Sequence, residues 1–178
     1  MDNQTIIQLV EKSQQGDSAA FARLYELLYK DLYKAAYYML GNVHDAENAV
    51  SETVLDAFAG IGKLRDALAF RGWIFAILSN KCKAIMREYV KNREHLSSSP
   101  PEDYEQLLGK EDPEIARAED TSTLQKAFAV LSQEEKQIVA MTVYGQLDSN
   151  EIAARLSLNR NTVRSKYSRA LQKMKACL

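Results

Sequence analysis

Residues 149–174 read SNEIAARLSLNRNTVRSKYSRALQKM, and this stretch decides the fold that the sequence predicts. A short amphipathic segment comes first, and its Ala153 is small enough to let a second helix pack closely against it. Leu158 follows in a turn, where an apolar side chain can fill the space between two helices. A longer segment comes last, with an apolar stripe at Val163, Tyr167, Ala170, Leu171 and Met174. This order of elements predicts a helix-turn-helix.

The second helix of this motif has a polar face that suits the major groove of DNA. At about 100° per residue, one side of the helix collects Arg164, Ser165, Ser168, Arg169 and Gln172. Arginine forks can bind guanine edges, and further cations can hold phosphates, namely Arg160, Lys166 and Lys173. A solvated basic face is the commoner reason for such a pattern. Residues 149–178 nevertheless hold seven basic residues against one acidic residue, and turn, stripe and charge together favour DNA binding.

The net charge of the whole chain is −1, with 23 Lys and Arg against 24 Asp and Glu, which by itself argues against a nucleic-acid binder. The charges are unevenly distributed, however. Residues 1–95 are neutral, residues 96–120 carry −6 and residues 121–178 carry +5. Such an asymmetry indicates charged partners that the net value hides. Residues 96–120 also contain all three prolines, which predicts a flexible linker with a short helix near residues 104–108.

The rest of the sequence predicts helices, because apolar residues recur at spacings of three and four and nowhere alternate as in strands. The predicted helix starts are capped by Asp17, Asp45, Ser132 with Glu135, Ser149, and Asn159 or a neighbour of it, and Gly41-Asn42 is a predicted stop. We therefore predict an all-α fold. Two small helical domains, residues 1–95 and 121–178, are joined by a flexible acidic linker, residues 96–120, and the C-terminal domain is a helix-turn-helix.

Two groups of residues in the N-terminal half are predicted to lie in the core. The helix that starts near residue 45 is expected to turn inward Ala46, Ala49, Val50, Thr53, Val54, Ala57 and Phe58. Tyr33, Tyr37 and Tyr38 invite a stacking role, but an aromatic stripe on a long helix is more often part of a core, and we interpret it so.

Other classes of protein and site find no support in the sequence. The N-terminus does not resemble a secretory signal, and no apolar run is long enough to span a bilayer, so no direct membrane insertion is expected. Two cysteines and two histidines, each far from the next, match no metal spacing, so we expect a reduced cytoplasmic location, no metal and no cofactor. No nucleophile elbow or phosphate loop is present, so we expect no catalytic residues and no enzyme.

At this point several motifs in the chain resemble those of one family, the extracytoplasmic-function (ECF) sigma factors of bacterial RNA polymerase. GDSAAF at 16–21, DAENAVSE at 45–52 and FRGWIFAILSN at 70–80 are similar to motifs of the family's promoter-melting domain. The segment 131–175, with TVRS at 162–165, resembles the family's C-terminal promoter-binding domain. Each motif alone is weak, but their order and spacing, with an acidic linker between them, are specific.

The resemblance implies a function and a set of partners. It implies that the chain docks on core RNA polymerase, at its clamp helices and flap, and directs promoter recognition and transcription initiation. Residues 1–95 would correspond to sigma region 2 and residues 121–178 to sigma region 4. Promoter DNA would be the second partner. An anti-sigma factor, which in this family is often membrane-anchored, would be the third.

The resemblance also implies three sets of binding residues. The minus-ten element would be bound by Phe70, Arg71, Trp73, Asn80, Lys83 and Arg87. The minus-thirty-five element would be bound by Arg160, Asn161, Thr162, Arg164, Ser165, Lys166, Ser168, Arg169 and Lys173. Core polymerase would be bound by Asp45, Glu47, Asn48, Glu52, Thr53 and Asp56. The alternative hypothesis is a helix-turn-helix transcription regulator with an N-terminal helical sensing or dimerisation domain. That hypothesis gives no role to the acidic helix at residues 45–56 or to the aromatic corner at residues 70–73.

Overall fold

The computed structural model describes residues 3–95 and 119–177, and every regular element in these two ranges is helical. The N-terminal region, residues 3–95, contains α1 (Asn3–Gln14), α2 (Ser18–Leu40), α3 (Val43–Gly60) and α4 (Phe70–His95), with two single-turn 3₁₀ helices, Ile61–Lys63 and Ala67–Ala69, between α3 and α4. The C-terminal region, residues 119–177, contains α5 (Glu119–Ala129), α6 (Gln133–Val143), α7 (Ser149–Leu156) and α8 (Arg160–Lys175). The predicted all-α class with a C-terminal helix-turn-helix is confirmed. The short helix expected near residues 104–108 and the flexibility expected of the linker lie outside the described residues.

Local sequence explains where the helices of the N-terminal region begin and end. Asp17 caps α2 as predicted, because its Oδ1 accepts a hydrogen bond from the amide of Ala20 at 3.0 Å. Gly41 ends α2 in the left-handed conformation, with φ of 72°, also as predicted. The prediction that Asp45 caps α3 is wrong. Asn42 is the cap and accepts from the amide of Asp45 at 3.0 Å, so Asp45 lies inside the first turn, where the helix dipole still favours its negative charge.

The C-terminal region is capped in a similar way. Ser132 and Glu135 form the predicted capping box at the start of α6. The prediction that Ser149 caps α7 is wrong by one residue, because Asp148 accepts from the amides of the first turn and forms a second capping box with Glu151. Of the alternatives predicted for α8, Asn159 or a neighbour, Asn159 is the cap, and its Oδ1 accepts from the amide of Asn161 at 2.8 Å.

The inner faces of the helices match the predicted stripes with two exceptions. On α3 the small residues and Thr53 are buried as expected, but Phe58 is 50% exposed and places its ring edge against Phe21 at a centroid distance of 5.1 Å. On α8 the buried residues are Val163, Ala170 and Met174, while Leu171 is 42% exposed. In both helices the misplaced residue lies at the margin of an apolar stripe, where a periodicity argument is least able to separate inside from outside.

The two regions pack against each other, and Tyr38 of α2 is one of the residues that join them. Its ring stacks on Phe128 of α5 at 4.9 Å and on Tyr144 at 5.8 Å, measured between ring centroids. Burial is the main cause that raises the pKa of Tyr144, and the neighbouring Tyr38 adds to it. The interpretation of Tyr33, Tyr37 and Tyr38 as core residues is confirmed. The sequence did not indicate that part of the cover over Tyr38 comes from the C-terminal region.

An ion pair between the buried Glu135 of α6 and the exposed Lys173 of α8 makes the stability of the fold depend on pH. Both carboxylate oxygens of Glu135 accept from Nζ of Lys173, at 2.8 and 2.9 Å, and Oε2 also accepts from the amide of Ser132 at 2.8 Å. The bond from Lys173, followed by those from Ser132, lowers the pKa of Glu135, although burial opposes the shift. A lowered carboxyl pKa stabilises the fold above the unfolded-state pKa and loses that effect as the pH falls through the folded-state pKa.

We predict that Glu135→Gln lowers the free energy of unfolding at neutral pH by about 1–3 kcal/mol, since the charged hydrogen bonds are lost. The difference from the unaltered chain should shrink as the pH falls from about 4.3, the ordinary value for glutamate, through the lower folded-state value. Urea unfolding followed by circular dichroism at neutral and at acid pH measures both effects. Glu134→Gln on the same helix is the control and should cost less, because the Glu134 carboxylate, which pairs with Lys166, is 39% exposed against 9% for Glu135. A difference that persists unchanged at acid pH would contradict the prediction.

Candidate nucleic-acid interface

The face of α8 that was predicted to bind DNA is open to solvent. Arg160, Asn161, Arg164, Ser165, Ser168 and Arg169 are all exposed, and Thr162 is half-buried. Ser157 takes the left-handed conformation between α7 and α8, with φ of 55°, and thereby sets the angle between the two helices. Arg169 donates from Nε to the carbonyl oxygen of Ser165 at 3.3 Å, and this bond holds its guanidinium along the helix surface. The structure thus brings the short polar and cationic side chains of this set onto one accessible face.

Two lysines of the same predicted set are engaged within the C-terminal region. Lys166 pairs with Glu134 at 2.7 Å, and Lys173 pairs with Glu135. Both acidic partners belong to α6, which packs behind α8. Their positive charge is therefore partly balanced before any phosphate approaches, whereas no ion pair involves Arg160 or Arg164 among the described residues.

A second basic face lies along α4. Asn80, Lys83 and Arg87 are exposed and follow one another at spacings of three and four residues, which places them on one side of the helix. Lys81 lies one residue away and points elsewhere, toward the carboxylates of α3. The structure thus brings together three of the six residues predicted for the minus-ten element.

The other three residues of that set lie at the start of α4 and differ in exposure and in the contacts they make. Phe70 is only 1% exposed, so its ring presents no stacking surface to solvent. Trp73 is half-buried, with its ring 6.0 Å from that of Phe70 and packed beside Gly60. Arg71 is half-buried, and Phe75 lies below its guanidinium at 5.6 Å. Of the two rings, only that of Trp73 is available at the surface.

Within residues 3–95 and 119–177, the side chain of Arg71 makes three hydrogen bonds. Its Nη2 donates to Oδ2 of Asp31 at 2.6 Å and to the carbonyl oxygen of Tyr144 at 2.5 Å. Its Nε donates to the carbonyl oxygen of Gly145 at 2.9 Å. Two of the acceptors belong to the C-terminal region, where the chain leaves α6. The guanidinium is thus a link between the two regions.

The outer face of α3 is acidic, as predicted, and one cation partly balances it. Glu47, Asn48, Glu52 and Asp56 are exposed. Lys81 of α4 bridges Glu52 and Asp56, at 3.2 and 2.8 Å, and these bonds raise its pKa. Two apolar side chains are exposed on the same helix, Leu55 at 69% and Phe58 at 50%.

Two residues of the predicted polymerase-docking set are less accessible than expected. Thr53 is fully buried, and its Oγ1 donates to the carbonyl oxygen of Ala49 at 2.6 Å, so its side chain cannot contact a partner on the outer face. Asp45 is half-buried and accepts a bond from the hydroxyl of Tyr89 on α4 at 2.6 Å. Together with Asn48, Glu52, Ile85, Glu88 and Asn92, these two side chains, Asp45 and Tyr89, line a groove between α3 and α4.

Sequence reasoning missed two features of these surfaces, the role of Lys81 and the pairing of Arg71 with Asp31. Lys81 could have been found, because it continues the inward-facing spacing of Leu78 and Ile85 on α4 and a lysine in that row needs an acidic partner. The pairing of Arg71 with Asp31 gave no signal, since forty residues separate the two and no periodicity connects them.

Comparison with known proteins identifies the family. A family model described as Sigma-70 region 2 matches residues 24–92, and one described as Sigma-70, region 4 matches residues 121–174. The ECF RNA polymerase sigma factor SigE of Mycolicibacterium smegmatis is 30% identical over 168 residues, which cover 90% of this chain and 63% of that protein. The chain belongs to the ECF sigma factors. This sigma factor therefore spans less than two thirds of SigE, but it spans 92% of SigW of Bacillus subtilis, to which it is 21% identical over 173 residues.

Solved structures show the same fold. CnrH, in complex with the cytosolic domain of CnrY, superposes on this sigma factor with a TM-score of 0.68 and 19% identity, covering 97% of this chain and 96% of that one. RpoE from Bartonella quintana, in complex with the anti-sigma factor NepR, gives a TM-score of 0.67 with 20% identity, covering 88% and 95%. Within residues 3–95 and 119–177, this sigma factor has no helix that is both long and apolar enough to cross a membrane.

Proposed function

We propose that this chain binds core RNA polymerase, directs it to a class of promoters and takes part in opening them, without catalytic activity of its own and in the cytoplasm. The observation that carries this proposal is the order of two sigma regions along one chain, each with an exposed charged face of the sign its partner requires. Nucleic acid needs the basic faces of α4 and α8, and a basic protein surface needs the acidic face of α3.

The face of α8 reads the minus-thirty-five element in the major groove. Arg164, Ser165, Ser168 and Arg169 lie toward the base edges, and their exposure supports this assignment. Arg160, Asn161 and Thr162 lie at the start of α8, where a helix N-terminus favours a phosphate. Lys166 and Lys173 contact the DNA backbone only if phosphates displace Glu134 and Glu135, their carboxylate partners on α6.

The face of α4 binds the minus-ten element as single-stranded DNA. Trp73 and Arg71 offer a ring and a guanidinium for stacking or bonding to an unpaired base. Asn80, Lys83 and Arg87 continue this surface along the helix toward the displaced strand and its phosphates. Phe70 is buried beneath Trp73 and supports its position. It does not itself contact DNA, which is the role the sequence predicted for it.

The outer face of α3 docks on the polymerase clamp helices. Glu47, Glu52 and Asp56 provide complementary charge, which steers association. Leu55 and Phe58 lie exposed among them, and apolar side chains ringed by charge are typical of a protein interface. Contact of the C-terminal region with the polymerase flap belongs to the same proposal.

An anti-sigma factor is a further proposed partner. CnrH is solved with the cytosolic domain of CnrY and RpoE with the anti-sigma factor NepR, and both share the fold of this chain. We extend this kind of partner, often membrane-anchored in the family, to the present chain.

Run-off transcription with purified core polymerase tests the proposed function directly. The chain should bind core, and genome-wide mapping of start sites should then give one shared promoter motif. If the chain fails to bind core but keeps its affinity for duplex DNA, the alternative holds, namely a helix-turn-helix regulator with an N-terminal sensing or dimerisation domain.

We predict that Arg164→Ala costs about 1–3 kcal/mol of discrimination at one base pair of the minus-thirty-five element, because a bidentate bond to guanine is lost. Competition between promoter variants for the holoenzyme measures it. Arg23→Ala removes an arginine of α2 whose side chain is 73% exposed and serves as the control. An equal loss of affinity on every sequence would instead make Arg164 a phosphate contact.

We also predict that Glu52→Lys slows association with core polymerase by roughly tenfold or more at low salt, since it reverses a charge on the docking face. Glu47→Lys on the same face should act likewise, and duplex DNA binding should not weaken. Stopped-flow association rates across a salt series measure the effect. Glu11→Lys makes the same charge change on α1, and rates equal to those of this control would remove α3 from the interface.

A further inference from the structure

The segment that joins α3 to α4, residues 61–69, is held by the last residue of α1. Nε2 of Gln14 donates to the carbonyl oxygen of Ile61 at 3.1 Å and to that of Leu64 at 2.7 Å. Both oxygens lie just past the end of α3, where the regular hydrogen bonding of a helix stops. One amide group thus ties down two points of the joining segment, which lie 47 and 50 residues away from it in the sequence.

Gln14 makes these bonds from a helix that is itself anchored. Val10, one turn earlier on α1, is fully buried, and Ser13 is buried as well. The same helix packs against both of the single-turn 3₁₀ helices in the joining segment. The core therefore fixes the end of α1, and α1 in turn fixes the place from which the Gln14 amide donates.

The backbone next to these bonds is in contact with Trp73. Gly60 immediately precedes Ile61, and a Cβ atom at Gly60 would lie 3.2 Å from Cζ2 and 3.6 Å from Cη2 of the indole. The indole thus packs directly against the backbone at Gly60, so a shift of that backbone changes the space that the ring has. Phe70 is the second neighbour that supports the ring.

The two halves of the joining segment are restrained in different ways. In the second half, Oδ1 of Asp66 accepts from the amide of Leu68 at 3.0 Å, and its carbonyl oxygen accepts from the amide of Ala69 at 3.1 Å. These bonds are local and do not involve α1. The first half, which follows Gly60, receives its side-chain bonds from Gln14 instead. A change at Gln14 is therefore expected to act on the half that adjoins Trp73.

We propose that Gln14 is a positioning residue for the minus-ten surface. By holding the carbonyl oxygens of Ile61 and Leu64, it keeps the backbone at Gly60, and with it the indole of Trp73, in the place where an unpaired base stacks. Stacking is tighter on a ring that is already fixed, because less motion is lost when the base binds. The inference rests on the proposed function, since it takes Trp73 as the stacking residue.

Four variants of two adjacent residues separate this role from a general effect on α1. Gln14→Met removes the amide donor but keeps an uncharged side chain of similar length and helix propensity, and Gln15→Met is its control at the neighbouring exposed residue. Gln14→Lys restores a donor, because an ammonium group can donate to both carbonyl oxygens, and Gln15→Lys is its charge-matched control. Circular dichroism checks that all four variants keep their helices.

The fluorescence of Trp73 in the free full-length chain measures how firmly the ring is held, because it is the only tryptophan. Gln14→Met should raise quenching by acrylamide about twofold and lower the anisotropy of the emission, since a less restrained side chain moves on the nanosecond timescale. Gln14→Lys and both Gln15 variants should match the unaltered chain. An effect of Gln14 on overall stability alone would not change this emission well below the unfolding transition. Equal quenching in Gln14→Met and Gln15→Met would overturn the proposal.

Binding of fork DNA by the holoenzyme measures the consequence for the minus-ten element. The probe is a fork with an unpaired minus-ten non-template strand, built on a promoter mapped by run-off transcription. It is compared with forks that carry an abasic site at each minus-ten position in turn. At the most sensitive position, Gln14→Met should lower the preference for the intact fork about fivefold, because stacking of that base is weakened.

Discrimination at the minus-thirty-five element is the internal control of the same experiment. The preference for an intact over a scrambled minus-thirty-five element should be equal in all four variants, and Gln14→Lys should restore the preference at the minus-ten element. An unchanged minus-ten preference in Gln14→Met, or an equal fall at both elements, would overturn the role of Gln14.

Failure of the proposed function gives a different pattern of results. A chain that never binds core polymerase would remove the proposed function, and with it the role at the minus-ten element. Changed emission in Gln14→Met would still support the hold of Gln14 on the Trp73 ring. Run-off transcription by the unaltered chain, together with unchanged emission in Gln14→Met, would overturn the positioning role alone.

Discussion

The guanidinium of Arg71 lies where α6 ends, and much of the arrangement of the molecule depends on this position. A helix leaves carbonyl oxygens without partners at its C-terminus and carries partial negative charge there, so a cation bonded to them is favourable. Arg71 supplies that cation to the carbonyl oxygens of Tyr144 and Gly145, and Asp31 keeps its charge balanced. The same bonds fix the start of α4 against the C-terminal region, with Gly72 leaving room for the approach. One side chain thus connects the packing of the two regions with the surface proposed to bind the minus-ten element.

Much of the fold followed from local sequence, because caps and apolar stripes act over a few residues. Asp17, Gly41, Ser132 with Glu135, and Asn159 all have the roles their positions predicted. The two incorrect cap predictions, Asp45 and Ser149, also have a local cause. A preceding polar residue, Asn42 in the first case and Asp148 in the second, accepts the hydrogen bonds from the amides of the first turn. Phe58 and Leu171 are exposed although they were predicted to be buried, because periodicity does not determine the burial of a residue at the edge of an apolar stripe.

The candidate surfaces were less predictable than the helices that carry them. The exposed set on α8 follows from its own 3.6-residue period and needs nothing else. Burial of Phe70 and Thr53, by contrast, depends on which helices cover them. The partners of Arg71 lie 40 residues before it in the sequence and 73 and 74 residues after it, and no sequence pattern connects them. Contacts between residues distant in sequence are the part that single-sequence reasoning cannot reach, and here they decide which proposed DNA-binding groups are free.

The ion pairs that Lys166 and Lys173 make with α6 have a consequence for how the chain responds to salt. Binding to duplex DNA releases about 0.9 counterion for each phosphate that a free cation neutralises. A lysine that leaves a glutamate to reach a phosphate exchanges one anion for another, and it exposes the glutamate near the DNA. The logarithm of the affinity of this helix-turn-helix should therefore fall less steeply with salt concentration than its seven basic residues against one acidic residue would suggest. The two acidic residues that begin α6 thus moderate electrostatic attraction to any DNA and leave a larger share of binding to the contacts that read bases.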